Sequence, residues 1–182
     1  LAVITATASA FLDNVTTVLL MVPVTFSITR MLNVPAIPFL ITEVLASNIG
    51  GTATLIGDPP NILIGTKNEH LTFNDFLVNL APGVVVVMAV TIVLLVRIYK
   101  KQLTVEQEAK AELLNLKAAD YVTDKTLAIK SICVLLLTII GFALHSVTGM
   151  STAVVAMTGA ALLMLIGVKE HELEETLHSV EW

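Results

Sequence analysis

The arrangement of this chain follows from one segment, ASNIGGTATLIGDPPN at residues 46–61. It combines three glycines, two prolines, two asparagines and an aspartate, inside residues 31–66, where Glu43 is the only other acidic residue. Non-helical backbone at membrane depth is tolerated only where it is buried in protein or lines a cavity. The segment therefore predicts a broken transmembrane helix beside a site for a solute or an ion. The pair Gly50-Gly51 also fits close helix packing alone, but the neighbouring Asp58-Pro59-Pro60-Asn61 favours the site.

The composition indicates an integral membrane protein. Apolar residues make up 55% of the 182 residues and charged residues 14%, with a mean hydropathy of +0.87, whereas soluble domains carry about 25% charged residues. Residues 131–168 contain no Asp, Glu, Lys or Arg, so they predict two membrane-spanning helices joined by a tight turn. The net charge of −5 gives no indication of nucleic acid binding. We expect a multi-pass protein, located in the plasma membrane if the source is bacterial.

The predicted fold is all-α and polytopic, and it has three parts. In chain order these are a transport core over 1–100 (hairpin 1–30, broken helix 35–66, transmembrane helix 80–97), a cytoplasmic linker over 101–126, and two transmembrane helices at 127–145 and 150–168 within 127–182. The first 29 residues leave two interpretations open: one span carrying a buried Asp13, or a re-entrant hairpin of two half-depth arms. Because the chain starts inside an apolar run without an initiator Met, we expect it to be part of a longer protein.

Three carboxylates lie at predicted membrane depth: Asp13, Glu43 and Asp58. Such groups are costly there and usually line a pathway, bind a cation or relay a proton. Asp13 and Asp58 stand among amides, hydroxyls and helix breakers, so they are the leading candidates. Glu43 lacks such neighbours and fits a structural hydrogen-bond partner as well as a direct role. Asp13 with Asn14 also fits a helix cap.

The candidate site offers the oxygen ligands that a hard monovalent cation prefers. Its predicted members are Asp13, Asn14, Thr16, Thr17, Ser47, Asn48, Gly50, Gly51, Thr54, Gly57, Asp58 and Asn61. Within this set we expect Na⁺ at Asp13, Asn14, Asn48 and Asp58. A carboxylate at such a site is able to exchange a proton for a cation, which is a physical basis for antiport. No organic cofactor is expected, only a coupling ion, Na⁺ or H⁺.

Two segments resemble the arsenical-pump/P-protein branch of the ion transporter superfamily, which also holds NhaD-type sodium/proton antiporters and citrate transporter-like dicarboxylate carriers. They are Ser9-Ala10-Phe11-Leu12-Asp13-Asn14-Val15-Thr16-Thr17 and the stretch Ser47 to Asn61. The resemblance implies an all-helical permease with two inverted repeats, each supplying one re-entrant hairpin and one unwound helix to a midplane site. It further implies that residues 127–182 begin the second repeat, and that the site residues named above occupy the hairpin tip and the unwound helix.

The resulting functional prediction is a secondary active transporter and not an enzyme, with a small ion or solute and membrane lipid as partners. Nucleic acid is not expected as a partner, and a homodimer remains open. Two fixed negative charges disfavour a dianionic substrate, so cation or proton coupling is preferred over a di- or tricarboxylate (citrate-like) or arsenite carrier of the same superfamily. Among other classes, an intramembrane aspartyl protease is disfavoured because Leu55-Ile56-Gly57-Asp58 lacks the Gly-x-Gly-Asp signature. A purely structural membrane subunit would give no reason for carboxylates at depth.

Overall fold

A computed structural model describes residues 1–68, 70–103, 105 and 124–167, and this part of the chain is all-helical, without strands. The α-helices are α1 Ala2–Ser9, α2 Asn14–Met31, α3 Ile37–Gly51, α4 Pro59–Lys67, α5 Phe73–Tyr99, α6 Lys125–Ala143, α7 His145–Thr148 and α8 Thr152–Gly167. A single 3₁₀ turn, Lys100–Gln102, follows α5. The predicted all-α class is confirmed. The linker predicted over 101–126 and the end of the part predicted over 127–182 lie largely outside the described residues.

Three of these helices are long and apolar enough to cross a membrane: Asn14–Met31, Phe73–Gln102 and Lys125–Ala143. The shortest of them has 18 residues, which corresponds to roughly 27 Å of helix against a hydrocarbon layer of about 30 Å. Their outer surfaces are apolar, with side chains such as Val78 and Ile98 69% and 67% exposed. Apolar surface of this kind is stable in lipid, so the chain is an integral, multi-pass membrane protein.

The described helices fall into two units, α1 to α5 and α6 to α8. In the first unit α3 is the central element, because α1, α2 and α5 all pack against it. In the second unit α6 packs against α8, and Lys130 Nζ donates to the carbonyl oxygen of Ile166 at 2.7 Å. The candidate site residues all belong to the first unit.

A short turn separates α1 from α2. Helix α1 ends at Ser9 and α2 begins at Asn14 with Asp13 as its N-cap. The Asp13 carboxylate accepts from the backbone N–H groups of Val15 and Thr16 at 3.0 and 3.1 Å. An aspartate in this position satisfies donors that have no partner inside the helix, so the Asp-Asn pair fixes where α2 starts.

The helix predicted over 35–66 is interrupted between Gly51, where α3 ends, and Pro59, where α4 begins. Pro59 and Pro60 occupy the first two positions of α4. A proline is tolerated there because the N–H it lacks would have no acceptor in the helix, whereas inside a helix it would break a hydrogen bond. The intervening residues 52–58 form turns and bends, which frees their backbone groups for other contacts.

Helix α5 begins seven residues before the span predicted at 80–97, at Phe73. Thr72 and Asp75 form a capping box: Asp75 N–H donates to Thr72 Oγ1 at 3.2 Å, and Thr72 N–H donates to Asp75 Oδ2 at 2.8 Å. The box satisfies two backbone donors at the helix start. It therefore places the first turn of α5 in a polar segment ahead of the apolar run.

Candidate ion-binding site

Asn14, the first residue of α2, lies at the centre of the candidate site. Its Oδ1 accepts a hydrogen bond from Ser9 Oγ at 2.7 Å. Its Nδ2 donates to Asp58 Oδ1 at 3.0 Å and to Asn48 Oδ1 at 3.4 Å. One amide thus connects the end of α1, the last turns of α3 and the residue that precedes α4. The turn between α1 and α2 and the interruption after α3 meet at this side chain.

Three glycines allow the backbones around Asn14 to come this close. A Cβ atom on Gly50 would lie 2.1 Å from the carbonyl oxygen of Ala6, and one on Gly51 would lie 2.3 Å from Asn14 Oδ1. A Cβ on Gly57 would lie 2.5 Å from the carbonyl oxygen of Gly51. Two of these obstacles are backbone atoms that cannot turn away. The glycines therefore serve close packing, the alternative considered for the Gly-Gly pair, and this packing builds the site.

Thr54 and Asn61 hold the unwound segment in place. The hydroxyl of Thr54 donates to the carbonyl oxygen of Ala10 and accepts from Gly57 N–H at 3.1 Å. The amide nitrogen of Asn61 donates to the carbonyl oxygens of Thr52 and Thr54 at 3.1 and 2.9 Å. Both side chains are buried, and both bind backbone. They position the segment, because Thr54 ties it to the end of α1 and Asn61 binds two of its carbonyl oxygens.

Asp13 and its neighbours lie differently from the expected ligand set. The Asp13 carboxylate is exposed and accepts from the N-terminus of its own helix and, at 3.4 Å, from Thr16 Oγ1. The residue that reaches Asp58 is therefore Asn14. Ser47 is buried and donates to the carbonyl oxygen of Val44 at 3.1 Å. Thr17 is buried as well, and its hydroxyl has no hydrogen-bond partner among the described residues.

The donor set at Asn14 is suited to a hard cation or a proton and not to a transition metal. It consists of amide oxygens, hydroxyls and one half-buried carboxylate, that of Asp58. Within the described ranges no group of three or more His, Cys, Asp or Glu side chains could hold a metal ion. Carboxylate and amide oxygens are ligands for hard cations, whereas transition metals select sulfur and imidazole.

The sequence left Glu43 open between a structural hydrogen-bond partner and a direct role, and among the described acidic residues it is the one that is fully buried. Its side chain has 0% exposure. Oε1 accepts a hydrogen bond from the hydroxyl of Thr25, and Oε2 has no partner among the residues described. A pattern in the sequence does point to this contact: Thr17, Thr25 and Thr29 recur at multiples of four residues and share one face of α2. Such a hydroxyl-bearing face on an apolar helix indicates a polar neighbour.

Comparison with known proteins identifies the family of this chain. Residues 1–182 match the family model described as citrate transporter. Over all 182 residues the chain is 43% identical to the "46 kDa membrane protein" of Mycobacterium leprae and 44% identical to a protein named as an uncharacterized transporter of Mycobacterium tuberculosis, covering 42% of each. It is also 45% identical over 103 residues to the P protein of Homo sapiens, which is 54% of this chain and 12% of that protein. The chain spans less than half the length of its mycobacterial relatives. It belongs to the citrate transporter family, a family of membrane transporters.

Proposed function

We propose that the full-length protein is a secondary active transporter in which Asn14, Asn48 and Asp58 bind a monovalent coupling cation. The observation that supports this most directly is the convergence of two acceptor oxygens, Asn48 Oδ1 and Asp58 Oδ1, on the single nitrogen of Asn14. These oxygens come from the two sides of an interrupted helix. Interrupted helices supply cation sites in many secondary transporters, because their freed carbonyl groups act as further ligands.

The amide of Asn14 offers a simple way to exchange a hydrogen bond for a cation. In the structure its nitrogen faces Asn48 and Asp58, and its oxygen faces Ser9. Turning the amide by about 180° exchanges the two atoms, and the Ser9 hydroxyl remains satisfied because it both donates and accepts. Three oxygens, from Asn14, Asn48 and Asp58, then surround one point. Such a set, completed by carbonyl oxygens or water, suits Na⁺.

The architecture that we propose around this site is that of an inverted-repeat transporter. The α1–α2 pair would be the first re-entrant hairpin, with α2 longer than the half-depth arm expected from the sequence. Helices α3 and α4 would be the first broken helix, and α6 with α8 the start of the second repeat. A second hairpin and a second broken helix, beyond the residues of this chain, would then complete the site. Alternating access would follow from movement of one repeat against the other around a fixed site.

A di- or tricarboxylate such as citrate is the second candidate for the transported species. The family description favours it. From the sequence, two fixed negative charges were expected to repel a dianionic substrate. This repulsion is weaker in the structure, because the Asp13 carboxylate is bound to the positive N-terminal end of α2. A cation held by Asp58 would offset the remaining charge. Cation binding would then favour binding of the carboxylate, which is a means of coupling the two.

Among the contacts of the described residues, none supports an intramembrane protease. A two-aspartate mechanism needs both carboxylates directed at one reacting group. Here the oxygen atoms of Asp13 accept from α2 itself, and Asp58 Oδ1 accepts from Asn14. We therefore propose transport without catalysis.

The experiment is flux into liposomes that contain the full-length protein. The probes are radiolabelled Na⁺ and radiolabelled citrate, each measured with and without imposed sodium and proton gradients. We expect Asp58→Asn and Asn48→Ala to reduce cation-dependent flux by at least about tenfold, a size typical of coupling between two ligands. The matched control is Asn79→Ala, which removes an exposed amide that binds only a carbonyl oxygen of its own helix at 2.7 Å. Flux that is unchanged in Asp58→Asn would overturn the proposed cation site.

A further inference from the structure

The packed helices α2 and α3 carry a set of buried polar side chains in addition to those of the ion site. On α2 these are Thr17, Thr25 and Thr29, with 1%, 0% and 2% exposure. On α3 they are Glu43 and Ser47, with 0% and 1% exposure. We call this set the α2–α3 polar seam. Ser and Thr are common between packed membrane helices, but a buried carboxyl among them is costly and usually has a function.

The seam leads towards the ion site. Thr25 binds Glu43, and eleven residues earlier on α2 Asn14 binds Asn48. From the first contact to the second, the residue number decreases on α2 and increases on α3, so the two helices are antiparallel. Ser47 lies one helical turn from Glu43, next to Asn48. Five residues separate Glu43 from Asn48, which is about 7.5 Å of helix. A charge change at Glu43 would therefore be felt at the site.

Glu43 is incompletely satisfied. Thr25 donates to Oε1, whereas Oε2 is buried without a hydrogen-bond partner in the described part of the chain. An ionised carboxylate in this state is strongly unfavourable in a membrane interior, while a neutral carboxylic acid is much less so. Binding of a proton therefore removes the cost of burying an unpaired negative charge at Glu43.

The surroundings favour a proton over a metal cation. A cation such as Na⁺ requires several oxygen ligands around one point, whereas the described contact of this carboxyl is a single hydroxyl. The hydroxyl of Thr25 can donate to the carboxylate and, after rotation, accept from the carboxylic acid. Thr25 is thus able to form a hydrogen bond with Glu43 in both of its protonation states. A cation ligand would not require a neighbour with this ability.

Few charged side chains lie on the described helices that pack against α3, which carries Glu43. Among the described elements that pack against α3, α1 has no ionisable side chain, α2 carries Arg30 in its last turn, and α5 carries Asp75 in its first turn and Arg97 near its end. None of these side chains is described as a hydrogen-bond partner of the carboxyl.

We propose that Glu43 is a proton-binding residue of the transporter and that its protonation couples a proton gradient to the Asn14–Asn48–Asp58 site. The proton comes from water on one side of the membrane, converts the carboxylate to the acid, and returns to water on the other side, with no other bond made or broken. The inference rests on the proposed transport function. It goes beyond that function in naming a second, separate ion-binding group.

The first test is independent of transport. Infrared difference spectra of the full-length protein between acidic and alkaline pH should contain a carboxylic acid carbonyl stretch from Glu43 that is separate from the band of the exposed carboxyl groups. We expect this band to be absent in Glu43→Gln, shifted in Glu43→Asp and shifted in Thr25→Val. Thr42→Val is the matched control, because its half-buried hydroxyl binds only the carbonyl oxygen of Pro38 at 2.7 Å. If Glu43→Gln does not fold, the band position in Glu43→Asp decides: a shift supports the proposal, and a band at the wild-type position overturns it.

The second test separates coupling from binding. In liposomes, Glu43→Gln should retain exchange of labelled for unlabelled citrate within about twofold, but lose uptake driven by a pH gradient by about tenfold or more. Uptake driven by a pH gradient that survives in Glu43→Gln would overturn the role of Glu43. Failure of the wild-type protein to carry citrate or Na⁺ would instead contradict the proposed function, and the infrared result would still decide whether Glu43 binds a proton.

Discussion

The side-chain nitrogen of Asn14 lies 3.0 Å from Oδ1 of Asp58, a residue 44 positions further along the chain. This contact joins the first turn of α2 to the residue that precedes the two prolines of α4. It holds an acidic group beside unwound backbone. A charge-bearing hydrogen bond of this kind is stronger than one between neutral groups, so it contributes to the folded state as well as to the chemistry of the site.

The energetic link between Asn14 and Asp58 is testable by a double-mutant cycle. Because the two side chains are in direct contact, Asn14→Ala and Asp58→Ala should be non-additive, with a coupling of about 0.5–3 kcal/mol in the free energy of unfolding. The measurement is thermal or denaturant unfolding of the full-length protein in detergent. As a control, Asn79→Ala combined with Asp58→Ala should be additive. Additivity in the Asn14 cycle would contradict the contact.

The interruption of α3 and α4 could be predicted from the sequence because glycine and proline act locally. Pro59 and Pro60 lack the N–H groups that a continuing helix needs. For the first 29 residues the sequence left one span and a hairpin both open, and the structure has a turn at the Asp-Asn pair, which favours a helix start. Helix α5 begins seven residues before its apolar run, because the capping box of Thr72 and Asp75, and not hydrophobicity, determines where the helix starts.

Which of two adjacent polar residues would reach Asp58 depends on tertiary geometry. Asp13 and Asn14 are neighbours, and both suit a cation site. Once Asp13 caps α2, its carboxylate is turned to that helix, and the next side chain faces α3. The role of Glu43 depends on a partner 18 positions away, and no local pattern around Glu43 indicates it.

Asp13 should behave as a helix cap. Since Asn caps a helix about as well as Asp, Asp13→Asn should change the free energy of unfolding little, whereas Asp13→Ala should lower it by about 1 kcal/mol. Unfolding in detergent measures both. The sodium dependence of flux distinguishes a helix cap from a Na⁺ ligand. If Asp13 were a Na⁺ ligand, Asp13→Asn would weaken the sodium dependence of flux as strongly as Asp58→Asn does.

Gly57 should tolerate no side chain. A Cβ there would lie 2.5 Å from the carbonyl oxygen of Gly51 and 2.7 Å from that of Ser9, both backbone atoms, so Gly57→Ala should destabilise the protein by about 1–3 kcal/mol or more through overpacking. Gly83→Ala is the control, because nothing lies within 4 Å of its added Cβ, and alanine in a helix interior is favoured over glycine by about 0.5–1 kcal/mol. Equal melting temperatures for the two variants would contradict the close approach at Gly57.

Asn61 should act by positioning the unwound segment. Its amide donates to the carbonyl oxygens of Thr52 and Thr54, so Asn61→Asp would place a carboxylate against two acceptors and remove both donors. We expect a loss of about 2 kcal/mol or more in the free energy of unfolding, since a buried acceptor without its donor keeps its full desolvation cost. Asn61→Ala should cost less, because it removes the donors without adding a charge. If Asn61 were instead a cation ligand, Asn61→Asp would retain the dependence of flux on sodium and Asn61→Ala would lose it. Unfolding and sodium-dependent flux measured in both variants therefore distinguish a positioning residue from a ligand.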